Sequence, residues 1–180
     1  MANLSDSNTF NVHDDYYTRK SAWKNIEQFI PKDKVIWEAF LLGSNGQSKK
    51  YLEELGYGVI GETDVDFLSN DIPNRDDYDI IVSNPPFDTE IKKPILRKLK
   101  ELDKPFIIIM NAMNLFSKYF KDIFGDTDIK FIFPSFKLHY DKYNEDGVLT
   151  PAVSKSGKTD ATSFYSIYVC YKIIPKNTWI

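Results

Sequence analysis

A chain of 180 residues, 42% apolar and 15% aromatic, suffices for one domain with a substantial core and excludes a disordered protein. The net charge of -3 argues against a general nucleic-acid coat, and the single cysteine, Cys170, excludes an internal disulfide or a cysteine-built zinc site. Met1 to Asn11 is polar rather than signal-like, and apolar runs such as Phe106 to Met110 are too short for a bilayer, so a soluble, intracellular, cytoplasmic protein is expected.

Thr18 is placed to cap a helix with Ala22, Trp23, Ile26 and Phe29 inward and Pro31 at its end. Val35 to Phe40 reads as a buried strand, followed by a loop with Gly43 and Gly46. Tyr51, Leu52 and Leu55 then mark a short helix stopped by Gly56. Tyr57 to Ile60 is a second strand, and Asp79 to Ser83 a third that enters Asn84-Pro85-Pro86-Phe87. Pro94 suits the first turn of a helix carrying Ile95, Leu96, Leu99 and Leu102 inward. Phe106 to Met110 is the next strand. Leu115, Phe116, Tyr119, Phe120 and Ile123 form one helical stripe closed by Gly125. Ile129 to Phe133 and Phe164 to Ile173 are the last strands, with no helix between them, which predicts an antiparallel final pair. The polar stretch from Tyr140 to Ser163 is expected to be a mobile loop.

Alternating strands and helices predict an α/β fold with an open, mostly parallel sheet covered on both faces. The acidic segment after the second strand has no room for a full helix, so one crossover reduces to a loop. Charge is uneven. From Glu53 to Asp79 only Arg75 is basic, whereas Lys92, Lys93, Arg97, Lys98, Lys100 and Lys104 make the next stretch mostly basic. Solvated faces explain such runs by default, and the basic one leaves room for a phosphate contact.

In such sheets ligands bind beyond the carboxyl ends of the strands, where three features of this chain fall. The sharpest is Asn84-Pro85-Pro86-Phe87. Two prolines remove two backbone donors and fix a rigid turn, leaving carbonyls free to accept. Asn84 adds a side-chain acceptor and Phe87 a flat apolar face, a set that suits a planar group bearing an amino substituent. An Asn-Pro pair also opens ordinary turns. Gly43 and Gly46 permit close backbone approach to a ligand, with helix amides beyond them favouring a carboxylate, though tight turns use glycines too. Glu62, Asp64 and Asp66-Phe67 follow the second strand, where a carboxylate can accept ribose hydroxyls or simply solvate a loop.

Asn84-Pro85-Pro86-Phe87 resembles the catalytic motif of the adenine amino-methyltransferases, and the resemblance runs from about Asp15 to Ile174. It implies a single-domain, Rossmann-like class I methyltransferase sheet, mostly parallel with an antiparallel final strand, and no separate target-recognition domain. Compact viral and phage members look especially similar, which would place the protein in a host cytoplasm. Tyr16-Tyr17-Thr18 is similar to the family's amino-terminal cofactor motif, and Glu38-Ala39-Phe40 with Gly43 and Gly46 to its acidic and glycine-rich loop. By resemblance S-adenosylmethionine is the cofactor. Tyr17, Thr18, Glu38, Phe40, Gly43 and Gly46 lie at its methionine end, Glu62 or Asp64 at the ribose, and Asp66 with Phe67 at the adenine. The chain departs from the family at Ala39 where proline is usual, at Gly43-Ser44-Asn45-Gly46 where Gly-x-Gly is usual, and at Thr18-Arg19 where Thr-Pro is usual.

The activity implied is direct methyl transfer to the exocyclic amino group of adenine, in DNA or else in RNA, with Asn84 and the Pro85 carbonyl orienting the nitrogen and Phe87 stacking on the base. No metal is needed, and the two histidines, His13 and His139, form no set for one. Either the Tyr140 to Ser163 loop reads the target, or specificity is low, or a protein partner supplies it. Two other functions fit the same residues: methylation of a glutamine side chain in a protein, whose enzymes usually end the turn in Tyr, and a non-catalytic methyltransferase-like subunit that binds nucleic acid.

Overall fold

The computed structural model describes residues 16–42, 45–144, 146–153, 162 and 164–180. Gly43, His13 and most of the polar stretch's second half therefore lie outside the described residues.

Seven strands form the main sheet: β2 (Val35–Trp37), β3 (Gly58–Ile60), β4 (Ile80–Ser83), β5 (Phe106–Asn111), β6 (Ile129–Phe133), β9 (Ser166–Tyr171) and β10 (Thr178–Trp179). Their spatial order is β10-β6-β9-β5-β4-β2-β3. All neighbouring pairs are parallel except those made by β9, which runs antiparallel between β5 and β6. The fold is α/β with a mostly parallel sheet, compatible with a Rossmann-like fold. The antiparallel strand is as expected, but it is not the last. Two residues of the carboxyl terminus, β10, add to the sheet edge beside β6 in parallel. A two-residue strand has no periodicity from which to be read.

The middle strands are apolar throughout because both of their faces are covered. Ile80, Val82, Ile107, Ile109, Tyr168 and Cys170 point into one core, with Ala22, Trp23 and Ile26 of α1 (Lys20–Ile26) and Leu52 of α2 (Gln47–Glu54). The alternate residues Ile81, Phe106, Ile108, Met110, Ile167 and Val169 point into the other. Ile95, Leu96 and Leu99 of α3 (Thr89–Leu102) and Phe120, Ile123 and Phe124 of α4 (Lys118–Phe124) close that second core. The β3–β4 crossover holds only a single 3-10 turn, Arg75–Asp77, as the short acidic segment predicted.

Four sequence expectations are corrected. Thr18 does not cap α1: it belongs to β1 (Tyr17–Thr18), and the cap position is Arg19, whose side chain makes no capping bond. α3 begins a turn and a half before Pro94, because Asp88 accepts from the amides of Glu90 and Ile91 and starts it at Thr89. A real N-cap outweighs proline's preference for the first turn, at the loss of one helical hydrogen bond. The Leu115–Ile123 stripe is two elements, a 3-10 turn over Ala112–Phe116 and then α4, broken where Ser117 caps α4 by accepting from the Phe120 amide. That break leaves Phe116 facing outward.

The fourth correction bears on function. The segment from Tyr140 is no loop at its start: β7 (Tyr140–Tyr143) and β8 (Leu149–Pro151) form a hairpin. β1 pairs antiparallel with β7, giving a second, three-stranded sheet. Tyr140 is its anchor, buried in the first core with its hydroxyl 2.7 Å from Ser166 Oγ.

Candidate active site

Strand order sets where the site lies. From β2 the chain crosses to β3 on one side and then to β4 on the other, so the crevice between the β2 and β4 ends is a topological switch point. Glu38 follows β2 there, and Ser83 with Asn84 ends β4.

Glu38 is buried. Ser83 donates its hydroxyl to Glu38 Oε1 and in turn accepts from the Phe40 amide at 3.2 Å, which ties the two strand ends together. Oε2 finds no hydrogen-bond partner among the described residues. Burial pushes the carboxyl up to about 7, against the opposing pull of the Ser83 hydroxyl and the Phe40 amide. A buried carboxyl at a strand end with one oxygen unpartnered among the described residues is a place for a cationic or hydroxyl-bearing group. Its backbone is held as tightly as its side chain. The Glu38 amide donates to Ile60 O at 3.0 Å, and Gly61 follows with φ 140°, where a β-carbon would run into the Glu38 carbonyl oxygen. Only glycine fits.

Asn84 is arranged in a complementary way. Its Nδ2 donates to Thr18 Oγ1 at 3.0 Å, while Oδ1, also buried, has no partner among the described residues. One end of the amide is anchored and the acceptor end is left to take a hydrogen bond. Thr18 can anchor it because β1 is drawn over the strand ends by β7, with Thr18 opposite Tyr140. The Arg19–Asp141 ion pair, 2.6 Å and largely covered, secures the same pairing.

Pro85 is buried and Phe87 half-buried. Lys92, buried one turn into α3, donates to the Phe87 carbonyl at 2.8 Å and lies 5.8 Å from its ring. Phe87 joins a ring cluster: Phe164 at 5.0 Å, with Tyr16 and Tyr140 at 6.0 Å. Beside it opens a cleft of about 350 Å³. Tyr16, Phe87 and Phe164 form its aromatic wall, and Thr89, Lys92, Asn111 and Asn114 its polar one. Asn114 Nδ2 is buried without a partner among the described residues, while its Oδ1 accepts from the Tyr119 hydroxyl.

The remaining sequence candidates scatter along the β2–β3 side. Gly46 takes a left-handed conformation, φ 68°, immediately before α2, and Tyr17 packs edge-on to Tyr143, whose hydroxyl accepts from Asn45. Glu62 and Asp64 are exposed, Glu62 within 3.9 Å of Lys49. Asp66 Oδ1 accepts from the Leu68 amide. Phe67 is buried between Trp37 and Phe40, so its ring is part of the core. The basic run in and after α3 is mostly committed to structure: Lys92, Lys98, Lys100 and Lys104 each donate to a backbone carbonyl.

Sequence reasoning missed Ser83, Gly61, Lys92, Asn111, Asn114 and Phe164 as members of the site. Ser83 alone carried a signal, as a polar residue ending an apolar strand. The others enter through tertiary contacts. Among the described residues no group of acidic, histidine or cysteine side chains could hold a metal, and no helix is long and apolar enough to cross a membrane. Compared with known proteins, the chain matches no family model and no curated protein sequence.

Proposed function

We propose that the protein is a class I, S-adenosylmethionine-dependent methyltransferase that methylates an exocyclic amino nitrogen, with adenine in DNA as its acceptor. The observation that carries this reading is the pair of orphaned buried oxygens, Glu38 Oε2 and Asn84 Oδ1, at the ends of two adjacent parallel strands. Glu38 suits the ammonium group of the cofactor: a cation beside it would satisfy Oε2 and draw the carboxyl down from about 7. When bound there, S-adenosylmethionine supplies an electrophilic methyl group. Asn84 Oδ1 accepts one amino hydrogen of the acceptor, which keeps electron density on the nitrogen and aims its lone pair. Thr18 holds that amide in orientation, and the Lys92 bond to the Phe87 carbonyl holds the turn. The residues contribute mainly by positioning two reactants.

The aromatic wall of the cleft favours a ring over a glutamine side chain, since a planar base gains stacking that a carboxamide does not. Calorimetry with S-adenosylmethionine tests the cofactor, with one-to-one binding expected and a loss in Glu38→Ala. Tritiated cofactor with DNA, RNA and protein pools, followed by nucleoside analysis, tests the acceptor. Absence of binding at millimolar cofactor overturns the enzyme reading in favour of a non-catalytic subunit.

A further inference from the structure

Eight large apolar side chains are exposed among the described residues, and four of them sit on one stretch of the site's rim. Met113 (69% exposed) and Phe116 (82%) leave the 3-10 turn that follows β5. Phe136 (85%) follows β6, and Tyr165 (69%) precedes β9, whose first residue pairs with the last of β5. The Ala112 amide donates to Tyr165 O at 2.8 Å, and Lys137 Nζ lies 5.0 Å over the Tyr165 ring. The patch is continuous with the cleft, because the same short segments serve both. Asn114 and Phe164 line the cleft, while Met113, Phe116 and Tyr165 beside them turn outward.

Charge narrows the occupant. In a chain of net charge -3, segments 111–118, 134–139 and 162–166 contain Lys118 and Lys137 and no acidic residue. Exposed rings with two cations match the requirement for a strand whose bases are unpaired: faces to stack on and a few phosphate contacts. A paired duplex hides its base faces and asks for a broad basic surface, whereas the rim segments carry only Lys118 and Lys137, and Lys137 also donates to the Thr162 carbonyl. Of the three rings only Tyr165 carries a hydroxyl, so bases stacked on Phe116 and Phe136 gain nothing there from a ribose 2′-hydroxyl, and DNA is the acceptor of the proposed function.

We propose that this rim binds single-stranded DNA, with unpaired bases stacked on Phe116, Phe136 and Tyr165 beside a target nucleotide in the cleft. The assignment builds on the proposed function for the identity of the cleft's occupant, and the rim is tested apart from it. Fluorescence anisotropy with a labelled mixed-sequence oligodeoxynucleotide, its duplex and the matching RNA would measure the rim directly. Phe116→Ala, Phe136→Ala and Tyr165→Ala remove exposed rings and leave the core intact.

Single-stranded DNA should bind tightest, each substitution should weaken it roughly ten-fold, and the affinity should fall with salt at a log–log slope of about -1.4, as for two phosphates. Duplex or RNA binding as tight as single-stranded DNA overturns the proposal. So does unchanged affinity in all three variants, or no DNA binding together with loss of self-association in the variants. The same variants titrated with S-adenosylmethionine keep the two readings apart. Cofactor binding with an inert rim sinks the rim alone, and DNA binding without cofactor binding sinks the methyltransferase.

Discussion

Along one edge of the sheet, the ends of β2 and β3 carry Glu38, Glu62, Asp64 and Asp66, while the segments at the ends of β5, β9 and β6 carry Lys118, Lys137 and four exposed apolar side chains. Asn84 and Phe87 stand between them at the end of β4. The acidic end presents carboxylates, the chemistry proposed for the cofactor. The other end presents ring faces and a few cations, the surface proposed for single-stranded DNA. What the contrast teaches is that parallel strands gather chemically opposite loops within reach of one turn, so that the two reactants of the proposed function would not compete for the same surface.

Four substitutions break or sharpen that contrast, from the largest effect to the smallest. Asn84→Ala removes the acceptor at the junction and leaves both ends standing. Turnover should fall by roughly 3–4 kcal/mol of transition-state stabilisation, two to three orders of magnitude, with cofactor and DNA affinity little changed. Near-normal turnover in the folded variant would mean that the two ends do not meet at Asn84.

Glu38→Gln acts on the acidic end alone. The folded protein binds the Glu38 proton more tightly than the unfolded chain, at about 7 against 4.5, so this group's stabilising contribution is complete below the lower value and lost as pH rises through the higher. Near about pH 8 that loss is on the order of 3 kcal/mol, and the glutamine variant avoids it. Thermal melts should therefore show the variant as the more stable protein near that pH, with the advantage gone in mild acid, while its cofactor binding is weakened. Equal melting temperatures at both pH values would show that Glu38 carries no buried charge.

Gly61→Ala tests the same end through the backbone. The added methyl meets the Glu38 carbonyl from a left-handed position and should cost about 1–3 kcal/mol in urea unfolding. An unchanged midpoint would refute the close packing of β2 on β3. Thr18→Val is the mildest change, isosteric and aimed at the anchor of Asn84 alone. Losing the hydroxyl that holds Asn84 should cost about 1 kcal/mol, measured as a five- to ten-fold loss in turnover that a serine restores. If serine restored nothing, the threonine methyl rather than the Asn84 bond would be what matters.

Glu38 and Asn84 were legible as candidates because each follows an apolar strand directly, and Phe87 because the proline pair after Asn84 fixes the turn that carries it at the sheet's carboxyl edge. Phe67 shows the limit of that logic. It lies at the same edge, yet it is buried between Trp37 and Phe40, because whether a ring stands out or folds back depends on its neighbours. Tyr140 is the opposite case. It opens a polar stretch that reads as loop, and it is an anchor of the first core.

By itself the sequence determined the α/β alternation, the apolar two-faced strands, the loop-sized β3–β4 crossover and the rigid turn after β4. These depend on local periodicity and on proline and glycine geometry, which neighbours in the chain suffice to fix. Only the tertiary structure decided that β1 lies over that turn, that Thr18 anchors Asn84, that Ser83 joins Glu38, and that the rings of segments 111–118, 134–139 and 164–165 share one rim. Those contacts join residues far apart in the chain; Arg19 and Asp141, which secure the first of them, are 122 positions apart. Pairing at such separation is selected by the closing of the whole core, and no local pattern encodes it.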